Sequence, residues 1–116
     1  MPGIEDVKLK PKKDKFKSAR GGYSRFLQIS CRQCQTKLLI YQKDGPGNLR
    51  RLYLDRIFSP SELSELQNLS LNEVPDLACS GCKQVLAIPY LYPKEKRPAF
   101  KLFQDSVTKK IIKTKN

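Results

Sequence analysis

Short apolar runs broken by turn-forming residues dominate the pattern of this chain. Two of them, KLLIY at 37–41 and VLAIPY at 85–90, each follow a C-x-x-C pair and predict short strands. Leu38, Ile40, Leu86 and Ile88 would be the residues these strands bury side by side. Asp44-Gly45-Pro46-Gly47-Asn48 is dense turn chemistry, so strand 38–43 is expected to fold back onto a strand at 49–54. Ser59-Pro60-Ser61-Glu62 reads as a helix start, with Ser59 as N-cap, Pro60 at the first helical position and Glu62 closing a capping box. That helix would direct Leu63 and Leu66 to the core and stop before Asn68 and Pro75. Near the end, Phe100, Leu102 and Phe103 suggest an extended stretch, and Asp105 or Ser106 would cap a C-terminal helix with Val107 and Ile111 on one face. The expected fold is a small α+β protein: antiparallel β hairpins, one short central helix and one C-terminal helix.

An internal repeat turns the two apolar runs into one prediction. Shifted by 48 positions, CRQCQTKLLIY overlays CSGCKQVLAIPY, pairing Cys31 with Cys79 and Cys34 with Cys82. A two-residue spacer lets both sulfurs of a turn face one point, so two such turns supply the four corners of a tetrahedron. Cys31, Cys34, Cys79 and Cys82 are therefore the expected metal ligands, with zinc favoured and iron the alternative. A redox C-x-x-C would open a helix in a βαβ pattern, whereas both pairs here precede strands. All four corners would be protein ligands, which makes the site structural and its binding energy folding energy. Gly81 is expected to supply a positive φ in the second turn, where the first has Gln33.

Through CRQC with KLLIY and CSGC with VLAIPY, residues 29–92 resemble the zinc-ribbon group. The chain is also similar to short bacterial zinc-ribbon proteins of no assigned activity that carry a stretch like DGPGNLRRLYLDRI and a lysine-rich ending. The resemblance implies a zinc-ribbon-like body and makes a nucleic-acid-binding or transcription-machinery role an expectation. Many ribbons have glycine just after the second cysteine of a turn; this chain has Gln35 and Lys83.

Charge adds a second theme. Of the net +12, residues 1–25 carry +5 and residues 94–116 carry +6, while 26–93 is nearly neutral at +1. The expected organisation is a basic, flexible N-terminal arm (1–25), a zinc-ribbon-like body (26–93) and a basic C-terminal segment with a short helix (94–116). Such arms attract polyanions, so nucleic acid, DNA or RNA, is the leading partner and an acidic protein or ribonucleoprotein the alternative. Arg50, Arg51 and Arg56 beside the glycine-rich turn, with Lys109, Lys110 and Lys113 on the last helix, are the candidate phosphate contacts. The competing reading of the three arginines is a solvated strand face, and Tyr53 among them would either stack on a base or cover the core edge.

Other functions recede. The chain has no histidine, no G-x-S-x-G and no carboxylate pair in an evident cleft, so a non-enzymatic role is expected. A four-thiolate iron electron carrier remains the third reading. MPGIEDVKLKPKK lacks the apolar stretch of a secretory signal and no run approaches membrane-spanning length, so a cytoplasmic protein with reduced thiols is expected.

Overall fold

The computed structural model describes residues 10–19 and 21–112. A five-residue helix, α1 (Lys15–Ala19), precedes β1 (Ser24–Cys31) and β2 (Lys37–Asp44). After the glycine turn come β3 (Arg51–Tyr53), a 3-10 turn (Leu54–Arg56), β4 (Ile57–Ser59) and α2 (Ser61–Ser64). Two further 3-10 turns (Glu65–Asn68 and Leu71–Glu73) lead to β5 (Leu77–Ala78), β6 (Val85–Tyr92), β7 (Arg97–Leu102) and β8 (Val107–Ile112).

The strands form two four-stranded sheets, in the orders β4-β2-β1-β8 and β3-β7-β6-β5, and the recorded pairings are all antiparallel. Both sheets feed a single core. Leu27, Ile29, Leu39 and Tyr41 from the first pack with Leu52, Leu86 and Phe100 from the second, and Cys31 and Cys79 belong to the same cluster. The described residues are thus mostly antiparallel β with two short helices. No helix among the described residues is long and apolar enough to cross a membrane.

Several sequence expectations are corrected. The segment expected as a C-terminal helix is the strand β8, paired with β1 in the register Leu27↔Ile111 and Ile29↔Lys109. Valine, threonine and two isoleucines suit a strand, and β1 needs a partner for its second row of backbone groups, so pairing outweighs the i,i+4 match of Val107 and Ile111. Asp105, expected as a cap, instead turns the chain with φ 59°. The hairpin expected from 38–43 to 49–54 does not form. β2 pairs with β1 and β4, while β3 crosses to the other sheet and pairs with β7 through Leu52↔Phe100. Gly45 and Gly47 do adopt positive φ, 76° and 105°, but the Gly45 N–H donates to the Tyr23 carbonyl, one step beyond the Ser24↔Asp44 pair, so the start of the turn stays tied to β1 instead of folding back along β2.

The predicted strands after the cysteine turns both exist, but in different sheets, so they do not lie side by side. Leu38, Ile40 and Leu86 are buried and Ile88 is 38% exposed. Ser59 does not cap α2: it is the last residue of β4, opposite Ile40, and Pro60 takes the N-cap position without a side-chain bond. The capping box lies eleven residues on, where Ser70 and Glu73 close the 3-10 turn reciprocally.

Residues 10–19, placed by the sequence in the basic arm, lie against the body. Asp14 accepts from the N–H groups of Phe16 and Lys17 at the start of α1, and also from Arg56 Nη2 at 2.6 Å. The backbone N–H of Lys12 donates to buried Gln42, whose amide returns a bond to the Lys12 carbonyl. The Arg97 guanidinium lies 4.0 Å from the centre of the Phe16 ring and 3.7 Å from that of Tyr53.

Candidate metal centre and basic groove

The repeat is reproduced bond for bond. Gln35 N–H donates to the Cys31 carbonyl at 2.8 Å and Cys31 N–H to the Thr36 carbonyl at 2.9 Å. In the second turn, Lys83 N–H donates to the Cys79 carbonyl at 2.9 Å and Cys79 N–H to the Gln84 carbonyl at 2.8 Å. Each pattern forces the residue after the second cysteine into the left-handed region, with φ 64° at Gln35 and 68° at Lys83. The positive φ therefore falls at the position where ribbons favour glycine, and not at Gly81 or Gln33. Gly81 has a different reason to be small: a Cβ there would run into the Thr36 hydroxyl and stand 3.3 Å from Cys34 Sγ.

The four thiols converge within 4.8 Å of one another. Contacts run between the turns, Cys31 to Cys82 at 3.8 Å and Cys34 to Cys79 at 3.4 Å. A tetrahedral ion with metal–sulfur bonds near 2.3 Å requires sulfur–sulfur edges of about 3.8 Å, so the set fits such an ion with little adjustment. These separations are far beyond a disulfide bond, and all four cysteines are free. Cys31 and Cys79 are buried in the core, while Cys34 and Cys82 face solvent. The centre would thus join the end of β1 to the end of β5, one strand from each sheet.

Local donors favour the thiolate at two of the four sulfurs, Cys79 and Cys34, while the neighbouring sulfurs push Cys82 up. The N–H groups of Gly81 and Cys82 point at Cys79 Sγ at 3.3 and 3.4 Å. The Thr36 hydroxyl, 3.1 Å from Cys34 Sγ, together with the Thr36 N–H, draws the Cys34 thiol down to about 6. Hydrogen bonds to the charged form favour it, and a metal takes only that form.

Beside this centre opens a groove of about 890 Å³. Its cations are Arg32, Arg50, Arg51, Lys101 and Lys109, against one acid, Asp105. Arg32 lies inside the first cysteine turn and reaches β8 through two bonds, its N–H to the Ser106 carbonyl at 3.1 Å and Nη2 to the Val107 carbonyl at 3.3 Å. From the second repeat, the Leu86 carbonyl accepts both Phe103 N–H and Ser106 Oγ at 3.0 Å. The two halves of the thiol site therefore hold the β7–β8 turn that forms one wall. On the other wall Arg51 donates to the Tyr90 hydroxyl at 2.9 Å and lies 4.0 Å from the centre of the Tyr92 ring.

Of the residues expected to contact phosphate, Arg50, Arg51 and Lys109 line this groove. Lys110 is exposed but outside it. Lys113 lies outside the described residues. Arg56 is not on a solvent face at all. It is 1% exposed and bound by Asp44, itself 4% exposed, at 2.9 Å and by Asp14 at 2.6 Å. Two carboxylates engage its guanidinium, and their field pushes its affinity for the proton further up against the opposing effect of burial. Tyr53 is buried under Arg97, which itself binds Asp55 at 2.7 Å and Glu95 at 3.0 Å.

Sequence reasoning missed Arg32, Lys101, Tyr90 and Phe103 as groove residues. Their only signal is charge or aromaticity, since four separate segments meet there. Comparisons of the chain with protein-family models, with curated proteins and with solved structures each find no match.

Proposed function

We propose that the protein is a non-enzymatic, zinc-stapled module that binds nucleic acid through the groove beside its thiol site. The observation that carries this reading is the gathering of Arg32, Arg50, Arg51, Lys101 and Lys109 around one concavity with a single carboxylate. Cations grouped in this way raise the local concentration of a polyanion and release its counterions on contact. A four-thiolate set closed at every corner suits zinc, whose role would be to fix the turns that carry Arg32 and the β7–β8 wall; iron is the alternative. Zinc would supply cross-linking and charge neutralisation of the thiolates, and the recognition would belong to the arginines and lysines.

The test is binding of the metal-loaded protein to labelled DNA and RNA across about 50–200 mM salt. The logarithm of affinity should fall linearly with the logarithm of salt. Arg50→Ala and Lys101→Ala should each weaken binding and reduce the slope by about 0.7–0.9, the share of one phosphate contact. Absence of binding at the lowest salt, or variants indistinguishable from the parent, would refute the reading.

A further inference from the structure

We infer that the groove takes single-stranded nucleic acid, with a base stacked on Phe103; this rests on the nucleic-acid reading above and makes it specific. Phe103 is 45% exposed, a large apolar side chain left in water at the rim of a cationic groove. Its backbone is anchored, since its N–H donates to the Leu86 carbonyl and its carbonyl accepts from Ser106 N–H at 3.2 Å. The ring therefore stands on a fixed turn, and Lys101, two residues before it, and Lys109, the third residue of β8, line the same groove. Across the groove, Tyr90 holds Arg51 through its hydroxyl. An exposed ring flanked by cations that track a backbone is the arrangement by which proteins bind unpaired strands. The ring meets a base face and the cations meet the phosphates on either side.

Duplex DNA asks for something different. Its bases are stacked internally, and its major groove is read by a helix or ribbon that projects into it. Here the cations line a concavity, and the longest helix among the described residues, α1, has five residues and packs on Arg97. The groove's volume of about 890 Å³ is on the scale of a few nucleotides.

The test uses the full-length, metal-loaded protein and fluorescence anisotropy with oligo(dT), oligo(U) and a mixed-sequence duplex, each of about 12 nucleotides per strand. At least one of the single strands should bind about tenfold or more tighter than the duplex, and the two homopolymers distinguish DNA from RNA as the source of the strand. Phe103→Ala should weaken the preferred strand by about 5- to 100-fold, the value of one base–ring stack, without changing the salt slope. Phe103→Trp should retain the affinity. Because Phe103 is exposed, Phe103→Ala should keep the parent's metal content and melting temperature, so a loss of binding reports the ring itself. A duplex bound as tightly as either strand, or Phe103→Ala binding like the parent, would overturn the inference while Arg50→Ala could still uphold nucleic-acid binding. Failure to bind any of the three would end both.

Discussion

Replacing Arg56 separates a buried clasp from a surface phosphate contact more sharply than any other single change. Arg56→Met keeps an unbranched apolar stem and removes the guanidinium with its charge. The consequence follows from what remains: Asp44, 4% exposed, would lose the guanidinium at 2.9 Å and stay buried without an opposite charge, held only by the neutral donors Ser24 Oγ and Gln42 Nε2. Breaking a buried pair from one side costs about 3–5 kcal/mol. Asp14 adds little, because its side chain is 35% exposed and ion pairs of that kind contribute about 0–1 kcal/mol. Against a total stability of about 5–15 kcal/mol for a domain of this size, the loss is large. Denaturant titration of the metal-saturated protein should show it directly, and thermal melts should fall by about 10 °C or more. Adding Asp44→Asn to Arg56→Met should recover part of the loss by removing the stranded charge. If Arg56→Met changed stability by less than about 0.5 kcal/mol, as exposed substitutions do, the clasp would be refuted. A concurrent weakening of nucleic-acid binding would then return Arg56 to the phosphate-contacting set.

Other predictions concern the turns and the acid limb. Gly81→Ala should lower metal affinity and stability by about 1–3 kcal/mol, because the new methyl forces Thr36 to rotate away from Cys34 Sγ; competition with a chelator measures it. Lys83→Gly, at φ 68°, should do the reverse and stabilise the protein by up to about 1 kcal/mol, read from the denaturation midpoint. The Asp14 carboxyl is held at about 2, below its ordinary 3.8, chiefly by the Arg56 hydrogen bond. A lowered folded-state value means that its contribution is complete above pH 3.8 and disappears as pH falls towards 2. Discounted for exposure, that is about 1 kcal/mol, so Asp14→Asn should flatten the stability profile across this window and a parallel profile would contradict the assignment.

What the sequence revealed and what it hid divide along local and non-local chemistry. The C-x-x-C turns are set by bonds within six residues, so the repeat alone located the four thiols and the strands that follow them. Pairing was another matter. VTKKII satisfies a helical spacing and a strand propensity at once, and only the unpaired side of β1 decides between them. SRFLQISC, one of the two inner strands of the first sheet, carries apolar residues without strict alternation because it is covered on both faces, so periodicity left it unread. DGPGN announces a turn but not its destination, and the chain leaves it for the opposite sheet. Arg50, Arg51 and Arg56 look alike in sequence. What separates them is Asp44 and Asp14, brought from 12 and 42 residues away to the last of the three.

Native mass spectrometry of the freshly purified protein decides whether four cysteines from two matched turns hold one ion that fixes the fold. The expected spectrum shows one zinc per chain, with a mass showing thiol protons displaced, and Cys79→Ser should lose both the ion and the compact charge distribution. A folded, compact parent chain of metal-free mass, or a Cys79→Ser variant that stays compact and fully zinc-loaded, would contradict it.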